Sequence, residues 1–303
     1  MMMTIPDYPK FRRLNMEDKT IFQSISAKLA PYVECSFLEM YAWNQHRNPT
    51  QVSILNNNLI LKTDDFLRDA YTTTFIGRNS LYDTTVRLVE DYGYISNIHE
   101  PILRNIKRQL KTMGYRFTVE TDKVDYLINT SDFITLRGGN FENFRRLVRK
   151  FDNNYANTTV EQLVLDSSKD FSEIINLFKH WGKASSTVKE FQLQSGIDCL
   201  QTLHAHHQEF TEIDGLLLKV EGNLIGFSIN ERKKKNFAVG HFLISDKTYK
   251  GSFEKLIWEV VYYYKKNHYE TINIGYDLGI DSLRATKTKI FDKLYKKYCI
   301  SRI

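Results

Sequence analysis

Proline is scarce in this 303-residue chain and absent after Pro101; Pro6, Pro9, Pro31, Pro49 and Pro101 are the whole set. No Pro-rich or Gly/Ser-rich stretch occurs either, which excludes a long tether, so any two domains adjoin directly. The three cysteines, Cys35, Cys199 and Cys299, lie far apart and form no CxxC pair. That excludes a disulfide framework and a structural zinc site, and buried free thiols are their ordinary role. No apolar run approaches the roughly 18 residues of a membrane span. The opening "MMMTIPDYPKFRR" has no apolar signal core, so a cytoplasmic protein without an integral membrane segment is expected.

Core-forming residues are plentiful. Hydrophobic side chains make up 42% and aromatics 13% of the sequence, enough for one large domain or two ordinary ones and too much for a disordered chain. The net charge of +6 is unevenly spread. From Arg232 onward 16 Lys and Arg face 7 Asp and Glu, a balance of +9, so the rest carries −3. Such asymmetry favours an anionic partner for the C-terminal part (phosphate, nucleic acid or a lipid head group), although an AT-rich genome also writes lysine often.

The clearest pattern runs from Gly215 to Gly275. "GLLLKV", "LIGFSINE" and "FAVGHFLIS" read as three strands joined by "EGN" and "RKKKN", with glycine and asparagine where hairpins want them. Phe253, Leu256, Ile257, Val260, Val261 and Tyr264 then recur at helical spacing over 252–267, before a last strand "ETINIG". An earlier stretch repeats the order. "QVSIL", "LILKT" and "TTTFIG" are strands, helices follow at 81–92 and 99–113, and "YRFTVET" is a further strand. Two copies of one α+β plan about 160 residues apart account for the length. The polar "FDNNYANTT" places a boundary near 155, giving domains 1–155 and 156–303, with helices at 170–183 and 195–210.

Hairpin strands followed by a helix and a further strand resemble the acetyltransferase plan. "DYLINTSDFITLRGGNFENFRRLVRKF" (125–151), "GLLLKVEGNLIGFSINE" and "INIGYDLGIDSLRATKTKIF" (272–291) resemble blocks of the C-terminal domain of phosphatidylglycerol lysyltransferases, and "FLEMYAW" (37–43) is similar to its N-terminal region. The resemblance covers most of the chain. It implies an α+β protein of two tandem GNAT-like (acyl-CoA N-acyltransferase-like) domains, with mixed sheets flanked by helices, related to Fem-type enzymes that move an aminoacyl group from tRNA to an amine or hydroxyl. Two departures are visible. Arg145, Arg146 and Leu147 stand where the family often has Lys-Arg-Asn, and "RGGN" carries two glycines where one plus lysine is usual.

In coenzyme A-dependent relatives the loop after the central strand resembles [QR]-x-x-G-x-[GA], where small residues and a helix N-terminus meet the pyrophosphate. Here Thr248 and Phe253 occupy two signature positions around Gly251. Lys247, Lys250, Gly251 and Ser252 still offer charge, flexible backbone and a hydroxyl for a phosphate, or simply an ordinary capped helix start. Arg284 and Lys287 share a helix face and make a second anion-binding candidate, or a solvated surface.

Acyl transfer in such a fold needs orientation, an oxyanion donor and a proton acceptor. Asp277 could orient an amine and Tyr276 donate a proton, though an Asp two residues before Gly279 is also plain turn chemistry. His241, mid-strand, could act as base or pack in the core. The resemblance places Asp125 and Tyr126 after a strand, lining a cleft between the domains; Asn273 and Trp181, with Tyr41 and Trp43, are further pocket candidates or core. Arg145, Arg146 and Arg149 form helix-face pairs suited to RNA phosphates or to solvent. His204 and His207 share a helix face, but no metal site is expected because no companion ligands stand nearby.

The expectation is an N-acyltransferase acting in an inter-domain cleft. It uses an aminoacyl-tRNA or a coenzyme A thioester as donor, holds no covalently bound cofactor, and serves a small-molecule or lipid-head-group amine. A coenzyme A-dependent acetyltransferase and a non-catalytic RNA- or head-group-binding module are the alternatives.

Overall fold

A computed structural model describes residues 4–43, 48–65, 70–185, 188–234, 236–291 and 293–303. The chain forms two compact units: Met1–Asp125 with Tyr276–Arg284 and Leu294–Ile303, and Tyr126–Gly275 with Ala285–Lys293. The boundary expected near 155 thus falls inside the second unit. The reason is β7 (Asp125–Asn129), which hydrogen-bonds into the second unit's sheet and takes the following chain with it.

In the first unit β1 (Arg12–Arg13), β2 (Gln51–Leu55), β3 (Asn58–Asp65) and β4 (Ala70–Ile76) form an antiparallel sheet in that order, with α1 (Lys19–Ser26) and α2 (Phe37–Ala42) preceding β2. Asn56 and Asn57 join β2 to β3 with φ of 52° and 58°, the two left-handed residues of a tight hairpin, which asparagine tolerates. Then come α3 (Leu81–Tyr92), β5 (Tyr94–His99), α4 (Glu100–Thr112) and β6 (Tyr115–Val119). β14 (Lys297–Arg302), nearly two hundred residues later, inserts between β5 and β6. Apolar faces of α3 and α4 close over these strands through Leu88, Ile102, Ile106 and Leu110, packed with Ile60, Phe75, Ile95 and Ile300.

The outward side of α4 is basic. Arg104, Lys107, Arg108 and Lys111 are all exposed, and every i,i+3 and i,i+4 pair among them is repulsive, at about 0.2–0.5 kcal/mol each.

The second unit carries α5 (Thr130–Thr135), α6 (Glu142–Asn154), β8 (Thr158–Gln162), α7 (Ser168–Ala184), α8 (Glu190–Ala205), β9 (Ile213–Val220), β10 (Asn223–Lys233), β11 (Phe237–Ser245), α9 (Ser252–Lys266) and β12 (Thr271–Asn273). Its sheet runs β7-β12-β11-β10-β9-β8, and β11 pairs with β12 in parallel. Glu221 and Gly222 turn β9 into β10 with φ of 50° and 79°, the same two-residue device as in the first unit. Tyr126, Ile128 and Phe133 meet Val260, Val261 and Tyr264 of α9 in its core. α10 (Asp281–Ile290) and β13 (Lys293–Tyr295) complete the chain's elements.

The order β2-β3-β4-α3-β5 recurs as β9-β10-β11-α9-β12. This is the duplicated acetyltransferase-like plan, built twice in one α+β chain. Among the described residues no helix is long and apolar enough to cross a membrane.

Candidate functional site

In the second unit, β11 and β12 stay paired only over Phe237–Thr271, Ala238–Ile272 and Val239–Asn273. β12 then ends while β11 runs on to Ser245. The departing segment is held by side chains. The buried Asn273 accepts from the Gly275 amide (2.8 Å). Lys287, 9% exposed, donates to the carbonyls of Ile274 (2.9 Å) and Gly275 (3.1 Å), with its ammonium 5.3 Å from the centre of the Tyr126 ring. Lys287 thus serves carbonyls at the strand end, one of which, Gly275, also accepts from the Tyr126 amide (3.1 Å), in place of the anion contact expected from the sequence.

His241 sits at a register shift between β10 and β11. Its imidazole is fully enclosed, 3.3 Å from Glu231, and so faces a carboxylate inside the protein. Burial alone would favour the neutral form of Glu231, but the charges of Lys233 and His241 more than offset it and hold the carboxyl at about 2.

The loop after β11 is closed by packing. Gly251, at φ 92°, lies so near α6 that a Cβ would come within 2.4 Å of the Leu147 carbonyl oxygen. The close approach that glycine permits is therefore taken by a helix. The Ser252 hydroxyl donates to the Asp246 carbonyl (2.7 Å) and lies 3.1 Å from Ser245 Oγ. Glu254 adds an acidic group to the first turn of α9, against the sign a phosphate wants. Lys247 and Lys250 point to solvent. On α6, Arg145 ties down the Leu136 and Gly138 carbonyls, Arg146 donates to Asn143 (2.6 Å), and Arg149 is exposed. Trp181 stacks on Phe178 of α7, 5.5 Å between centroids.

In the first unit the two charges that the sequence offered for separate tasks neutralise each other. Asp277 is fully buried and takes a two-pronged contact from Arg284, Nε–Oδ2 2.9 Å and Nη2–Oδ1 2.8 Å, while its Oδ1 accepts from the Gly279 amide. Arg284 also reaches Asp122 (2.6 Å). Asp277 and Asp122 hold the guanidinium firmly protonated. This arrangement fastens the loop ahead of α10.

Beside it lies a charged centre that sequence reasoning missed. Lys297, fully buried, contacts Glu34 Oε1 (2.6 Å) and Asp125 Oδ1 (2.7 Å). Asp125 Oδ2 accepts from the Val33 amide (3.1 Å), so Asp125 opens β7 as a counterion instead of following a strand into a cleft. Burial works against the Lys297 charge, but Asp125 and Glu34 overcome it and push its titration above the ordinary lysine value. Burial likewise disfavours ionised Glu34, yet Lys297 and His99 hold its carboxyl low, at about 2. The Tyr276 ring lies under the Lys297 ammonium at 4.9 Å. Enclosure first, then the carboxylates of Glu39, Glu34, Asp125 and Asp65, raise the Tyr276 phenol well above its ordinary value. Tyr276 is therefore a hydrogen-bond donor that keeps its proton.

Glu34, Asp64, Asp65, Asn97, Lys123, Tyr276 and Leu278 line a cavity of about 30 Å³. Lys123 is engaged by Asp65 (3.0 Å), Ser96 (3.0 Å) and Glu120 (3.1 Å). Asn97 is 9% exposed, and its Oδ1 meets no donor among the described residues. The wall is thus rich in acceptors and aromatic on one side, with its cation already spent. The signal in the sequence was a pair of carboxylates, Glu34 and Glu39, inside the largely apolar "PYVECSFLEMYAW".

These carboxylates give a pH dependence. Glu34 and Glu231 have folded values of about 2 against an ordinary 4.5, so below pH 4.5 the unfolded chain binds protons that the native one refuses. Their contribution is complete above pH 4.5 and is lost as pH falls towards 2. Each adds a slope of about 1.4 kcal/mol per pH unit in that window. Urea midpoints measured from pH 5 to 2 should fall steeply; a flat profile would contradict the pairing.

The chain is similar to a conserved protein of unknown function from Bacteroides thetaiotaomicron (19% identity, 99% of this chain and 100% of that chain, TM-score 0.81). It is also similar to L-PGS from Bacillus licheniformis (15%, 99% and 94%, TM-score 0.62) and to FemX (9%, 96% and 96%, TM-score 0.57). At these identities the likeness is one of fold. Among curated proteins none matches. The model of one family, described as phosphatidylglycerol lysyltransferase, C-terminal, matches residues 26–300, nearly the whole chain, and to that family this protein belongs.

Proposed function

We propose that the protein transfers an aminoacyl group from an aminoacyl-tRNA to an amine or hydroxyl acceptor, and that the cavity of the first unit seats the ammonium of that group. The carrying observation is the wall of Glu34, Asp64, Asp65 and Asn97 with Tyr276 beside it. An aminoacyl donor differs from an acetyl donor in having a protonated amine, which offers three hydrogens and favours an aromatic face. A cavity of about 30 Å³ suits such a group and is far too small for a coenzyme. A coenzyme A donor would want its pyrophosphate at 247–252, where Gly251 is packed on Leu147 and Ser252 is committed to Asp246.

In the reaction the acceptor's nitrogen or oxygen bonds to the carbonyl carbon and the ester C–O bond breaks. The acceptor's proton ends on the tRNA 3′-oxygen. Tyr276, kept neutral, donates a hydrogen bond and does not serve as the base.

The test compares radiolabelled aminoacyl-tRNA with the same donor N-acetylated, following label released to a pool of amine and lipid acceptors. Hydrogen bonds to a charged group are worth roughly 1.5–3 kcal/mol, so blocking the amine should slow transfer about 10- to 100-fold. Equal use of both donors, or label accepted only from acetyl-coenzyme A, would refute this reading.

A further inference from the structure

We propose that the outward face of α4 docks an RNA backbone. Arg104, Arg108 and Lys111 follow one another at helical spacing with Lys107 alongside, all exposed. The seven-residue step from 104 to 111 spans about 10 Å of helix axis, a row and not a pocket, which matches a chain of repeated phosphates better than a single free anion. Glu100 is the helix's one acidic residue and lies 3.8 Å from Arg104. Among the described residues, Lys107, Arg108 and Lys111 have no carboxylate partner. Several surface cations elsewhere are paired, as in Arg87–Asp91, Lys219–Glu161 and Lys255–Asp152.

A membrane is the weaker match. The apolar side of α4, Ile102, Leu103, Ile106 and Leu110, is buried in the first unit's core, whereas an interfacial helix needs that side free to enter the lipid. Charge complementarity with no apolar face points to nucleic acid, read through its backbone and not its sequence. The choice of RNA among polyanions rests on the aminoacyl-tRNA reading; the surface itself does not.

The experiment measures binding of fluorescently labelled, deacylated bulk tRNA to the full chain between 50 and 200 mM KCl. In R104Q/K107Q/R108Q/K111Q the slope of log K against log salt should drop by two to three, about one for each phosphate contact removed, with affinity at 100 mM salt at least tenfold lower. The thermal midpoint should be unchanged or higher, because the repulsions removed outweigh the one exposed Arg104–Glu100 pair lost with them. A companion R146Q/R149Q variant on α6 should keep the wild-type slope. The proposal is overturned if wild-type protein does not bind, if the fourfold variant keeps its slope, or if the α6 variant loses as much. It is overturned equally if these four residues govern capture by phosphatidylglycerol vesicles and not by tRNA. Deacylated tRNA has nothing to transfer, so the result is independent of the donor assay.

Discussion

Replacing Lys297 with methionine is expected to lower the thermal midpoint by roughly 10 °C, from a loss of about 3–5 kcal/mol. Methionine keeps most of the volume, so packing is not the cause. The ammonium lies fully buried between Glu34 and Asp125, at 2.6 and 2.7 Å, and without it two carboxylates remain in the interior with only His99, 3.7 Å from Glu34, beside them. Calorimetry on K297M and on the triple variant E34Q/D125N/K297M separates the possibilities. The triple variant, neutral throughout, should recover most of the loss, because replacing a whole buried ion group costs far less than breaking one. A single variant within 3 °C of wild type would mean the group is not desolvated as described.

Gly251→Ala is expected to cost roughly 2–4 kcal/mol. The residue sits at φ 92°, and an added methyl would meet the Leu147 carbonyl oxygen at 2.4 Å, with the Phe151 side chain at 3.2 Å. Neither a backbone carbonyl nor a helix packed along its length can move aside cheaply. If the glycine served instead to admit a phosphate, the variant would fold normally and lose only ligand affinity. Urea denaturation therefore distinguishes a packing glycine from a binding one: an unchanged midpoint would refute the packing role.

The two hairpin–helix–strand plans were legible because their signals are local. Alternation gave the strands, Asn56–Asn57 and Glu221–Gly222 gave the turns, and the three-to-four spacing from Phe253 to Tyr264 gave α9 nearly to the residue. Elements stabilised by distant partners were not. β5, β7 and β14 were missed, and each is a short strand whose partner lies far away in sequence; Lys297 pairs with His99, and Thr271 with Asn129. The site divides the same way. Tyr276 and Asp277 were singled out from the turn around them. The pairing of Asp277 with Arg284 was not, because a carboxylate and a guanidinium seven residues apart read equally well as two separate surface charges. Glu34 and Lys297, 263 positions apart, leave no joint trace in one sequence. Gly251 reads in the sequence as a phosphate-loop glycine or an ordinary capped helix start; that it admits a helix carbonyl depends on where α6 packs.

The placement of β14 between β5 and β6 has a consequence for how the protein is made. While the chain emerges from the ribosome, β5 and β6 are synthesised early, and the strand that joins them arrives only with Lys297–Arg302. Until then both present bare hydrogen-bonding edges of the kind that recruit neighbouring nascent chains. The second unit's β8 to β12 are translated wholly within that interval, so strands made before the second unit can lock shut only after it.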